Sequence, residues 1–124
     1  VHHPKKNAFR GKLYVLIDGG SYSASGQFAS VIEKYNRGIF IGEEAGGKKA
    51  IIGGFFHPRK NILPNTKIEI APARLLTLYR DVATNTGHGV IPAFHIVPSV
   101  TDLIKQIDPA KEFVYKLIAE SLNK

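Results

Sequence analysis

The chain contains no cysteine, so no disulfide and no thiolate metal site can be drawn from it, and its redox compartment stays open. No apolar run is long enough to cross a bilayer, which excludes a transmembrane helix within these residues. There is no internal repeat, low-complexity tract or linker-like stretch, apart from a polar leader before Leu13. Acidic residues are the scarcer charge, 10 against 17 lysines and arginines, which leaves a net charge of +7. The basic residues are dispersed, as Lys5 with Lys6, Lys48 with Lys49, Arg59 with Lys60 and single lysines near the C-terminus. Dispersed charge without interleaved aromatics reads as a solvated surface and argues against nucleic-acid binding.

Histidines offer no metal site. His2 and His3 lie in the leader, His57 in a loop, and His88 and His95 flank a Gly-Val-Ile-Pro segment, with no spacing that suits a metal pair. No metal and no cofactor is expected. A length of 124 residues supports one folding unit with a modest core.

What the chain does have is a serine-rich turn between a strand and a helix. Leu13, Tyr14, Val15, Leu16 and Ile17 are apolar throughout, the pattern of a strand buried on both faces of a mostly parallel sheet. Ala24, Phe28, Val31, Ile32 and Tyr35 are spaced as one apolar helical stripe. Gly19 and Gly20 let the chain turn between them, so Ser23 stands at the helix N-terminus among free backbone N–H groups. Such groups can stabilise a developing oxyanion. A serine in this position is also an ordinary helix cap, and Ser21 and Ser25 compete for that role. Ser21 and Ser25 occupy the places where the nucleophile elbow of α/β-hydrolases has glycines.

Beyond the helix, residues 38–42 predict a short strand parallel to the first, completing a β-α-β unit. Residues 46–56 are rich in glycine and predict a loop. Residues 66–71 alternate, Ile68 and Ile70 against Lys67 and Glu69, as a strand with one wet face does, and Pro72 limits it. Ser99 with Asp102 forms a capping-box start for a helix running to about Ile107. Asp108 and Pro109 open a second helix, whose apolar stripe is Phe113, Val114, Leu117 and Ile118.

The block Ser21, Tyr22, Ser23, Ala24, Ser25, with Phe28, Ala29, Tyr35, Arg37, Gly42 and Glu43 after it, resembles the serine motif of the carboxyl-terminal processing (tail-specific) peptidases. That family includes the tricorn protease core. Gly89, Val90, Ile91 and Pro92 are similar to its Gly-Val-x-Pro-Asp segment, and the resemblance runs from about Leu13 to Leu117. Gly26 stands where many members have glutamate, and Ala93 where aspartate follows proline. The resemblance implies that Ser23 is the nucleophile and that the Ala24 backbone N–H is one oxyanion donor. It further implies a crotonase-like α/β core with mixed sheet and flanking helices. The glycine-rich segment that members carry upstream of the serine block does not occur before Leu13. Residues 1–124 are therefore expected to form the C-terminal part of a serine peptidase catalytic domain, inactive on its own.

A serine hydroxyl needs a base, and two are open. Lys48 lies 25 residues past Ser23, where the tail-specific branch has its catalytic lysine. Such an amine must be desolvated to be neutral, whereas Lys48 beside Lys49 in a glycine-rich stretch also reads as a solvated surface pair. The Gly-Glu-Glu-Ala-Gly-Gly form of residues 42–47 is closer to the tricorn-like branch, in which an upstream histidine serves. Asp81 and Glu43 are candidate orienting acids, and His88 a loop residue. The implied substrate is peptide, an unfolded or carboxyl-terminal segment, and the implied location the bacterial envelope or periplasm. Cutting such a unit from its sheet predicts self-association. The alternative function is a non-catalytic module on the same fold that binds peptides along a sheet edge or carries apolar ligands.

Overall fold

The computed structural model describes residues 5–49, 51–56, 61–70, 73–78 and 87–122. The predicted β-α-β unit is present: β1 (Tyr14–Ile17), α1 (Ala24–Lys34) and β2 (Ile39–Gly42), with β1 and β2 parallel and Tyr14 opposite Ile39. A two-residue strand, β7 (Phe94–His95), joins β2 on its other side, also parallel, so that the sheet runs β1-β2-β7. Two antiparallel pairs complete the strands. β3 (Ile51–Phe56) pairs with β6 (Ala73–Leu78), and β4 (Asn61–Ile62) with β5 (Glu69–Ile70). The architecture is thus α/β, with parallel and antiparallel sheets.

The core is small. Ile17, Ala29, Ile32, Phe40, Ala45 and Val90 are buried together, with Leu13 and Val15 packed against them. They come from β1, α1, β2 and the loops that follow, so burial is concentrated where the serine-rich turn sits. α2 (Val100–Ile104) carries the predicted capping box: the Ser99 hydroxyl accepts from the Asp102 N–H at 3.1 Å, and the Asp102 carboxylate accepts from the Ser99 N–H at 2.8 Å. α2 ends at Ile104, one turn short of the expected Ile107. α3 (Pro109–Leu122) begins at the predicted proline and packs on β1 and β2, with the Phe113 ring 4.9 Å from that of Phe94.

Four expectations need correction. Residues 51–56 form a strand instead of continuing the loop. The ladder to β6 shifts register between Gly53 and Phe55, so the glycines mark a bulge in a strand. The strand expected over 66–71 is only Glu69–Ile70, and Ile68 and Ile70 are exposed, because its partner β4 is equally short and exposed.

The apolar stripe of α1 is only partly inward. Gly26, Ala29, Ser30 and Ile32 are the buried residues, whereas Phe28 is 63% and Tyr35 70% exposed. Leu16 on β1 is exposed as well, so one face of that strand stays open. The helix turns its small residues to the protein because main chain of the 43–49 loop lies close against them.

Candidate functional site

The site is built from two segments laid one on the other: the turn 18–23 at the end of β1, and the loop 43–49 at the end of β2. The turn is closed by Ser21, whose Oγ donates to Asp18 Oδ1 at 3.0 Å and accepts from the Asp18 N–H at 3.2 Å. Ser21 therefore serves the turn and does not cap α1.

Ser23 is the N-cap, with φ 55 and ψ −121. That conformation lies outside the regions open to an L-residue without cost, and holding it takes about 1–3 kcal/mol supplied by the surroundings. An N-cap serine ordinarily returns its hydroxyl to the helix, but Ser23 makes no side-chain capping bond. Its side chain is exposed at the helix start with the hydroxyl uncommitted to the cap. The Ala24 N–H, first in the helix, has no acceptor among the described residues. A sharp, strained strand-to-helix turn is thus reached without the glycines of the α/β-hydrolase motif.

Glycines hold the loop on this turn. Gly42 has φ +118, and a Cβ there would stand 2.2 Å from the Ile17 carbonyl oxygen. A Cβ on Gly46 would stand 2.1 Å from the Gly19 oxygen, so only glycine lets the two main chains meet. One residue on, a Cβ on Gly47 would stand 3.4 Å from the Tyr22 Cα, 3.5 Å from the Ser23 nitrogen and 3.8 Å from the Cα of the buried Gly26 of α1. A Cβ at position 26 would stand 3.3 Å from the Ser21 oxygen and 3.5 Å from the Gly47 Cα, so a side chain there is tightly hemmed by main chain.

Of the predicted site residues, Lys48 is brought close in chain terms, directly after the glycine that touches Ser23. Its side chain is exposed, and the described residues do not bury it as a neutral amine requires. The lysines do not form a solvated pair: Lys49 is half-buried, with Nζ 2.7 Å from Glu33 Oε1, and its carbonyl accepts from the buried Ser30 hydroxyl. Asp81 and His57 lie outside the described residues, as do His2 and His3. Glu43 is half-buried at the end of β2, and its N–H donates to the Ile17 carbonyl at 2.8 Å. His95 is exposed on β7.

The Gly-Val-Ile-Pro segment fastens the same loop from its other side. Val90 is fully buried and its carbonyl accepts from the Ala45 N–H at 3.0 Å, while the His88 carbonyl accepts from the Lys49 N–H at 3.1 Å. Glu44, which the sequence did not single out, accepts the Gly89 N–H at 2.9 Å and stands 3.1 Å from His88 Nδ1. The Gly89 hydrogen bond, helped by His88, holds the Glu44 carboxyl below its usual range. His88 thus has a partner, and it is a carboxylate of the loop.

Beside the turn, Val15, Leu16, Ala24, Phe28 and Ala29 line an apolar groove of about 430 Å³ between β1 and α1. Among the described residues no helix is long and apolar enough to cross a membrane.

A protein-family model described as Peptidase family S41 matches residues 2–92, which include both segments of the site and the Gly-Val-Ile-Pro segment. A comparison with curated proteins found no match.

Proposed function

The chain belongs to peptidase family S41, and from that membership we propose that it forms part of a serine endopeptidase whose nucleophile is Ser23. The observation that carries this reading is the strained backbone of Ser23 combined with a hydroxyl that makes no cap. Strain of that kind persists where function needs it.

In the proposed reaction Ser23 Oγ attacks the scissile carbonyl as a base removes its proton. The carbonyl oxygen becomes an oxyanion, held by the Ala24 N–H and by a second N–H from a preceding segment. Collapse of the tetrahedral intermediate breaks the C–N bond, and the base returns the proton to the leaving amine. Water then hydrolyses the acyl-enzyme in the same two steps. The base is Lys48 or a histidine from a preceding segment, as in the tricorn-like branch. The exposure of Lys48 favours the histidine.

The family implies a crotonase-like core, to which the β1-α1-β2 unit would contribute. Residues 1–124 would be the C-terminal part of that catalytic domain and inactive without the rest. Substrates would be unfolded or carboxyl-terminal protein segments, and the site of action the bacterial envelope or periplasm. One further reading has support in β1, an edge strand among the described residues, and in the apolar groove beside it: a non-catalytic module that binds peptide as an added strand, or an apolar ligand. A serine-directed fluorophosphonate separates the two, because labelling needs an activated serine and binding does not.

A further inference from the structure

A second hollow, of about 310 Å³, opens where β1 and β2 end. It shares Leu16, Ile17 and Ser21 with the apolar groove but is otherwise differently lined. Its volume lies at the lower end of the range for small-ligand clefts, roughly 300–1,000 Å³. Crevices at the carboxyl ends of parallel strands are where open α/β sheets place ligands. The walls are aliphatic, chiefly Ile17, Ile96 and Leu103, and the polar lining is dominated by Asp18, Glu43 and Asp108.

The charge at this hollow is opposite to that of the chain. Among the described residues three acidic side chains line it and no basic one does. Two of the carboxylates have local partners: Asp18 holds Ser21, and Asp108 accepts the Lys111 N–H at 3.0 Å at the start of α3. The half-buried Glu43 carboxylate has no hydrogen-bond partner among the described residues. Aliphatic walls with carboxylates among them suit an alkyl stem with a cationic head. An acidic side chain would be repelled by those carboxylates, and a purely aliphatic one would leave the half-buried Glu43 without a partner.

The hollow is next to the chemistry. Ser21, on its lining, is two residues before Ser23, and Asp18 opens the turn that Ser23 ends. We infer that this hollow is a subsite for a lysine or arginine side chain of the peptide substrate, with Glu43 as its main anionic contact. The inference rests on the peptidase reading above.

The test uses the full-length protein and three peptides that differ at one position, lysine, norleucine or glutamate, with that position moved along the residues flanking the scissile bond. At one position the lysine peptide should be cleaved with kcat/KM about fivefold above norleucine, the difference lying in KM. The ratio should shrink as ionic strength is raised toward about 0.5 M. Glu43→Gln should lower that ratio, and Glu43→Lys should turn it toward the glutamate peptide. Asp108→Asn, which keeps a capping side chain, provides a second variant should the Glu43 variants fail to fold. Active enzyme that cleaves all three peptides alike at every position overturns the subsite and leaves the peptidase reading standing. The same peptides are titrated against the Ser23→Ala variant by fluorescence anisotropy. Preferential, Glu43-dependent binding of the lysine peptide to Ser23→Ala would sustain the subsite, and the same binding by an unsubstituted full-length protein that cleaves none of the peptides would refute the peptidase reading while leaving the subsite standing.

Discussion

Gly26 and Gly47 meet main chain to main chain: a Cβ on Gly26 would stand 3.5 Å from the Gly47 Cα and 3.3 Å from the Ser21 oxygen. The contact ties the first turn of α1 to the loop after β2, and a Cβ on Gly47 would also stand 3.5 Å from the Ser23 nitrogen. Gly26→Leu should therefore destabilise the fold by about 1–3 kcal/mol through overpacking. The same change should lower peptidase activity of the full-length protein by more than its loss of folded fraction, since the turn itself is displaced. Thermal melts read beside turnover check this, and an active, fully stable variant would contradict the role given to the contact.

Acid should loosen the loop. Glu44 and Asp102 both have lowered carboxyl pKa values, Glu44 chiefly through the Gly89 N–H and Asp102 through the Ser99 side chain. A carboxyl that is more acidic when folded stabilises the fold above its unfolded pKa, and that contribution is lost as pH falls through the folded value. Stability should therefore drop as pH goes below the ordinary carboxylate range. In Glu44→Gln and Asp102→Asn the difference in melting temperature between neutral and acid pH should be smaller.

Lys48 and Ser23 can be separated by substitution in the full-length protein. If Lys48 were the base, Lys48→Ala would cost as much activity as Ser23→Ala, because members of one catalytic unit fail together. Its exposure predicts the smaller loss, measured as kcat/KM on a common peptide. Equal losses would assign the mechanism to a serine/lysine dyad.

The isolated chain should self-associate. Leu16, Phe28, Val31 and Tyr35 are exposed apolar side chains, and β1 is an edge strand among the described residues; such surfaces favour pairing with another chain. The net charge of +7 opposes this weakly at physiological salt, where the screening length is about 8 Å. Light scattering at several concentrations should show mass rising with concentration, and a strictly monomeric, cooperatively folding chain would contradict it.

The elements legible in the sequence are those whose signals are local. The strand ending at Ile17, the helix beginning at Ala24, the Ser99–Asp102 capping box and Pro109 at the start of α3 each follow from a few neighbouring residues. β3 was hidden because Gly53 and Gly54 read as a loop, whereas they mark an irregular ladder whose partner lies some 20 residues on. The inward face of α1 was misjudged from hydropathy. Shape decided it, because Gly26, Ala29 and Ser30 admit a main chain that Phe28 would hold off. The place of Ser23 at a strand–helix junction is legible in the sequence, whereas its conformation is not, since nothing in the residue types around it encodes a positive φ. The partnerships of Glu44 with His88 and of Glu33 with Lys49 join residues 44 and 16 apart and follow no period that a sequence displays.

The most direct measurement is covalent: the full-length protein is treated with a fluorophosphonate probe, digested, and the modified residue located by mass spectrometry. The account predicts stoichiometric modification at Ser23, with none in Ser23→Ala and much less on the isolated 124-residue chain. Modification at Ser21, Ser25 or any other serine, or an enzyme that cleaves peptides undiminished as Ser23→Ala, would contradict it.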